Sequence, residues 1–83
     1  MTTMTVSKAR NTLHNKKLNY WDMYHAEYIN RSDKVVAEYN TAEMYELEAY
    51  DYYDDYTQEE IKALYVLAHH HTEKARKLES LGY

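Results

Sequence analysis

The stretch DKVVAEYNTAEMYELEAYDYYDDYTQEE, Asp33 to Glu60, decides how the chain is read. It holds no proline or glycine, and Val35, Tyr39, Ala42, Tyr45, Ala49, Tyr52 and Tyr56 recur at steps of 4, 3, 3, 4, 3 and 4. Such steps put side chains on one face of an α-helix, whose turn takes about 3.6 residues. The stretch predicts a helix from about residue 33 to 55, capped by Ser32 or Asp33, with a seam that packs on other helices. Asn40-Thr41 offers a place to restart, since Asn40 followed by Glu43 loosely fits a capping arrangement. One helix, kinked there if anywhere, is the preferred reading.

Downstream, Thr57-Gln58-Glu59-Glu60 matches a capping box, in which the Thr hydroxyl and the Glu carboxylate each satisfy a backbone N–H at the helix start. A third helix follows, about 58–81, with apolar positions Ile61, Leu64, Tyr65, Ala68, Ala75 and Leu78, Leu67 and Leu81 alongside, and Gly82 at its stop. Upstream, a first helix is predicted at about 7–29, ended by Asn30-Arg31-Ser32-Asp33. Its apolar positions are Leu13, Leu18, Tyr20, Trp21, Tyr24, Tyr28 and Ile29, so the aromatic face lies in its second half and the first half is weakly amphipathic.

The chain has 83 residues, one glycine, no proline and no cysteine. Tight hairpins lack their usual residues, and no disulfide or thiolate metal site is available. The expectation is one all-α domain, a bundle of about three helices with antiparallel neighbours. A core this small favours assembly as a homo-oligomer, with Tyr39, Tyr45, Tyr52 and Leu64 as the self-association or core residues. No apolar run approaches the roughly 20 residues that cross a bilayer, and no secretory signal opens the chain, so a cytoplasmic protein without membrane contact is expected. Eleven tyrosines with no phenylalanine fit the AT-rich coding of many phages.

Charge is distributed in blocks. Residues 32–60 hold ten carboxylates against Lys34 alone, a formal −9, while residues 1–31 carry +3 and residues 61–83 carry +2. One reading is a solvated face opposed by basic helices. The other is an extended negative field able to occupy a basic groove. In composition, though in no motif, the segment resembles small acidic helical proteins that imitate nucleic-acid phosphates and block DNA-handling enzymes. The tyrosines interleaved with these carboxylates favour protein contact, because tyrosine gives large area at low entropic cost. The candidate partner-binding residues are Glu43, Glu46, Tyr50, Asp51, Tyr53, Asp54 and Asp55.

His69-His70-His71 with Glu73 gives i,i+3 and i,i+4 spacings, making His69, His70 and Glu73 weak candidates for a metal. Consecutive helical residues point about 100° apart, and neither His-Glu-x-x-His nor paired Glu-x-x-His motifs occur, so no metal and no cofactor are expected. No phosphate loop, nucleophile elbow or cysteine nucleophile is present, which argues against an enzyme. Net charge of −4 and the lack of an Arg/Lys cluster interleaved with aromatics argue against direct nucleic-acid binding. The expected function is a non-enzymatic binding module or inhibitor acting on a larger host protein, of phage counter-defence type. Self-association and a His/Glu metal protein are the alternatives.

Overall fold

A computed structural model describes residues 3–21 and 33–83, and these residues form helices, turns and connecting segments without a strand. Among the described residues three α-helices run in chain order: α1 Val6–Thr12, α2 Lys34–Asp51 and α3 Gln58–Ser80, with a short 3-10 turn, Tyr53–Asp55, between the last two. They pack as a small bundle in which α3 is shared, contacting α2 most extensively and α1 as well.

Each helix begins where a side chain can take up its first N–H groups. Thr5 accepts from the Lys8 N–H, and Asp33 accepts from those of Val35 and Val36. At Thr57 the capping box is complete, the Glu60 N–H donating to Thr57 Oγ1 at 3.1 Å and the Thr57 N–H to Glu60 Oε1 at 2.8 Å. The far end of α3 closes on Gly82, whose φ of 93° is open to glycine at no steric cost. There the Gly82 N–H donates to the Glu79 carbonyl and the Tyr83 N–H to the Leu78 carbonyl, the paired bonds of a Schellman stop.

The first helix is far shorter than the predicted 7–29. It ends at Thr12, and residues 13–20 are turns and extended chain. Asn11, Thr12, His14 and Asn15 are poor helix formers, and Thr12 Oγ1 donates back to the Lys8 carbonyl. The larger cause lies elsewhere: the Tyr20 N–H, which a continuous helix would give to the residue-16 carbonyl, donates to Glu48 Oε1 at 3.0 Å. The aromatic face expected at Tyr24, Tyr28 and Ile29 lies outside the described residues.

The second helix passes through Asn40-Thr41 unbroken but stops at Asp51, short of 55. Its last turn has no basic residue. Asp51, Asp54 and Asp55 stand at its negative end, where carboxylates oppose the helix dipole, and the backbone tightens into the 3-10 turn.

The core gathers Ala9, Leu13, Ala49, Ile61, Ala63, Leu64 and Leu67, with Met4, Val6, Leu18, Tyr45, Tyr56 and Val66 packed around them. The weakly amphipathic start of the chain is thus a core element, Ala9 being fully buried. The tyrosine seam needs correction too. On α2 the buried residues are Ala37, Glu38, Ala42, Met44, Glu48 and Ala49. Tyr45, Tyr52 and Tyr56 are half-buried at the margin, and Tyr39 is exposed. Alanines bring helix backbones close, and rings then fit only at the edges of the contact. Tyr65 and Leu81, expected on the apolar face of α3, are exposed.

Glu48 is the unusual member of this interior: fully buried, it accepts from Asn19 Nδ2 at 2.8 Å, the Tyr20 N–H at 3.0 Å and the Tyr56 hydroxyl at 2.7 Å. Glu48→Gln points an amide donor at these donors and should destabilise the fold by about 2 kcal/mol, and Tyr56→Phe by about 1 kcal/mol, in urea denaturation. At Glu60 the Thr57 N–H, with help from the Lys16 charge and against burial, holds the carboxyl below its ordinary 4.5. Its folded-state value being depressed, the stability it adds is present above pH 4.5 and lost as pH falls through the lowered value. Thr57→Ala should cost about 1 kcal/mol at neutral pH, and Glu60→Gln, which removes the titrating carboxyl, should flatten this acid limb of a stability-pH profile.

Candidate functional site

The seven candidate contact residues occupy one continuous stretch, from the middle of α2 through the 3-10 turn. Glu43, Glu46 and Tyr50 follow at steps of three and four and so line one side of α2. Tyr53, Asp54 and Asp55 extend the line beyond the helix end. All seven are exposed, Tyr50 most of all at 79 %.

Where the cations go separates this strip from the rest of the acidic block. Lys8 pairs with Glu59 at 3.7 Å, Lys16 with Glu60 at 3.6 Å, Lys74 with Glu38 at 3.6 Å and Arg76 with Glu73 at 3.1 Å. Lys16 spends further contacts on the Asp55 carbonyl, 3.3 Å away, and on the face of Tyr56. Among the described residues no cation pairs with the side chain of Glu43, Glu46, Asp51, Asp54 or Asp55. Cations of α1, the segment after it and α3 thus meet acids at the two ends of the block, and among the described residues none meets the side chains along its middle.

The strip is anchored from beneath. The Tyr20 hydroxyl donates to Asp51, and its ring meets Tyr52 edge-on at 5.6 Å. Tyr53 Oη accepts from Gln58 Nε2 at 2.8 Å, fixing the 3-10 turn to the start of α3. Tyr50 has no such tether among the described residues, and offers a ring and hydroxyl to solvent between carboxylates. The arrangement supplies acceptors, negative charge and aromatic area.

The proposed self-association residues are largely used inside the chain. Leu64 is fully buried, Tyr45 stacks on His71 at 5.8 Å, and Tyr52 receives Tyr20. Tyr39 donates its hydroxyl to Glu79. Of the metal candidates, His69 is exposed, His70 sits edge-on to His71, and Glu73 pairs with Arg76. Among the described residues no group of three or more potential ligands comes together.

Two sites escaped the sequence reading. One is the Glu48 cluster. Glu48 follows Tyr45 by three residues and precedes Tyr52 by four, so its place on the packed face was present in the spacing, but its charge assigned it to solvent. The other joins α2 to α3: Glu38, 8 % exposed, accepts from His71 Nδ1 at 2.7 Å and forms an ion pair with Lys74 at 3.6 Å. No local pattern announces a partner 33 residues away. Beside it, burial lowers the pKa of His70, and the charges of His71 and Lys74 push the same way.

No family model, curated protein or solved structure matches the chain. No helix among the described residues is long and apolar enough to cross a membrane.

The tyrosines beneath the strip ionise late. The hydrogen bond to Asp51, then burial, pushes Tyr20 up to about 12 from 10.0, and burial, then the bond to Glu48, raises Tyr56. For groups whose folded values are raised, the stability is fully present below pH 10.0 and lost as pH climbs. In an alkaline titration followed by tyrosinate absorbance, Tyr20→Phe and Tyr56→Phe should each remove part of the last-ionising fraction. Loss from the early fraction instead would contradict these contacts.

Proposed function

We propose that this protein is a non-enzymatic binding module of inhibitor type, which offers the acidic tyrosine strip on α2 and the 3-10 turn to a basic surface of a larger protein. The observation behind this reading is the unpaired state of the strip beside acids that are paired. A continuous negative field steers a basic partner into contact, and the exposed rings add area and hydroxyls at the point of docking. A nucleic-acid-handling protein suits this chemistry, since its groove already accepts spaced negative charge. Action in a host cytoplasm, as by a phage counter-defence protein, fits such a target. Direct contact with nucleic acid or membrane forms no part of the proposal.

In the same reading α2 and α3 are antiparallel neighbours, supported by Glu38 meeting His71 and Lys74 while Tyr53 meets Gln58. Homo-oligomerisation has less to draw on, because Tyr45, Tyr52 and Leu64 are occupied within the chain.

The test is affinity capture of the chain from a bacterial lysate at low and high salt, alongside Glu43→Lys/Glu46→Lys/Asp54→Lys. None of these three side chains holds the fold, so helicity measured by circular dichroism should persist. The intact chain should retain a stoichiometric, salt-sensitive protein, and the triple variant should lose it by tenfold or more, about 1.4 kcal/mol or greater. Equal capture by the variant would remove the strip from the interaction.

A further inference from the structure

Apart from the acidic strip, the turn that ends α1 leaves a cleft of about 360 Å³ between α1, the segment that follows it and the inner sides of α2 and α3. Its floor is apolar: Leu13, Leu18, Tyr45 and Leu67. Its rim is basic: Arg10, Lys16 and Lys17, with Trp21 completing the wall. We propose that this cleft binds a compact aromatic anion, a flat ring system bearing one carboxylate, sulfonate or phosphate group.

Three observations support the assignment. The volume lies at the lower end of the roughly 300–1,000 Å³ of small-molecule sites, which suits a one- or two-ring ligand. The three rim cations differ in their commitments. Lys16 is held by Glu60, the Asp55 carbonyl and the Tyr56 ring. Arg10 and Lys17 make no ion pair or hydrogen bond among the described residues, although this chain has an excess of carboxylates. Two cations with no carboxylate partner among the described residues, set over an apolar floor, are complementary to an anion with an apolar body: the charge-assisted bonds fix one end, and burial of the ring supplies the rest. Finally, Trp21, 42 % exposed, borders the cleft, so a ring seated there lies within reach of the indole.

Trp21 is the only tryptophan, so its fluorescence reports on the cleft directly. The probe is 1-anilinonaphthalene-8-sulfonate, titrated into the full chain beside N-phenyl-1-naphthylamine, the same ring system without the sulfonate. The expected result is saturable one-to-one binding of the sulfonate that changes Trp21 emission, with the neutral compound at least about tenfold weaker. Arg10→Gln/Lys17→Gln should weaken sulfonate binding about tenfold. Lys62→Gln/Lys77→Gln, which removes the same charge elsewhere, should leave it within about twofold. Circular dichroism confirms that both variants fold. Equal affinity for the two compounds, equal effects of the two double variants, or no saturable binding would each overturn the assignment. None of these outcomes depends on the acidic strip, which takes no part in the cleft's rim.

Discussion

Glu48 takes a carboxylate into full burial, and a group so placed is tolerated only where donors meet it. Three do: the Asn19 amide, the Tyr20 backbone and the Tyr56 hydroxyl. They come from both sides of Glu48 in the sequence, so one side chain ties the segment after α1 and the stretch between the 3-10 turn and α3 to the middle of the bundle. The early end of α1 follows, since a backbone N–H directed at Glu48 is withdrawn from a helix. The cleft follows from that end, because its floor and rim come from the residues that leave the helix, together with Arg10 and the sides of α2 and α3. With the segment held down, Tyr20 also reaches Asp51 and Tyr52.

Acids that look alike in the sequence therefore do different physical work. Glu38 and Glu48 are interior acceptors, Glu60 is half of a capping box, and Glu59 lies against Lys8. Glu43, Glu46, Asp54 and Asp55 face outward, and among the described residues no cation pairs with them. Exposed pairs such as Lys8 with Glu59 contribute only about 0–1 kcal/mol, so stability rests on the buried acceptors and the alanine-rich α2–α3 contact. The outward carboxylates repel one another across α2, a cost that a binding function would explain.

What could be read from the sequence was local. The Thr57 capping box, the Asp33 cap, the stop at Gly82 and the continuity of α2 through Asn40 depend on residues within a few positions of each other, and each was legible. Leu64 as core and the seven exposed strip residues were legible from helical spacing and polarity. The break after α1 was not, because its cause lies 28 residues away in Glu48. The Glu38–His71 contact was hidden for the same reason, while attention to spacings within one helix pointed to His69 and His70. The tyrosine seam misled because periodicity marks a face without its centre. Ala42 and Ala49 occupy that centre, with Ala37, Met44 and Glu48 buried beside them, and rings are pushed to its margin.

The division between paired and unpaired acids is the claim on which the rest turns, and the salt dependence of stability reads it most directly. Urea midpoints would be compared at low and at moderate sodium chloride for the intact chain and for Glu43→Gln/Glu46→Gln/Asp54→Asn. An uncompensated strip repels itself, and screening relieves that repulsion. The midpoint of the intact chain should rise with salt, and neutralising the strip should both raise the low-salt midpoint and remove most of the rise. A midpoint that falls with salt, or a variant less stable than the intact chain, would mean that these carboxylates are paired in solution and would contradict the account.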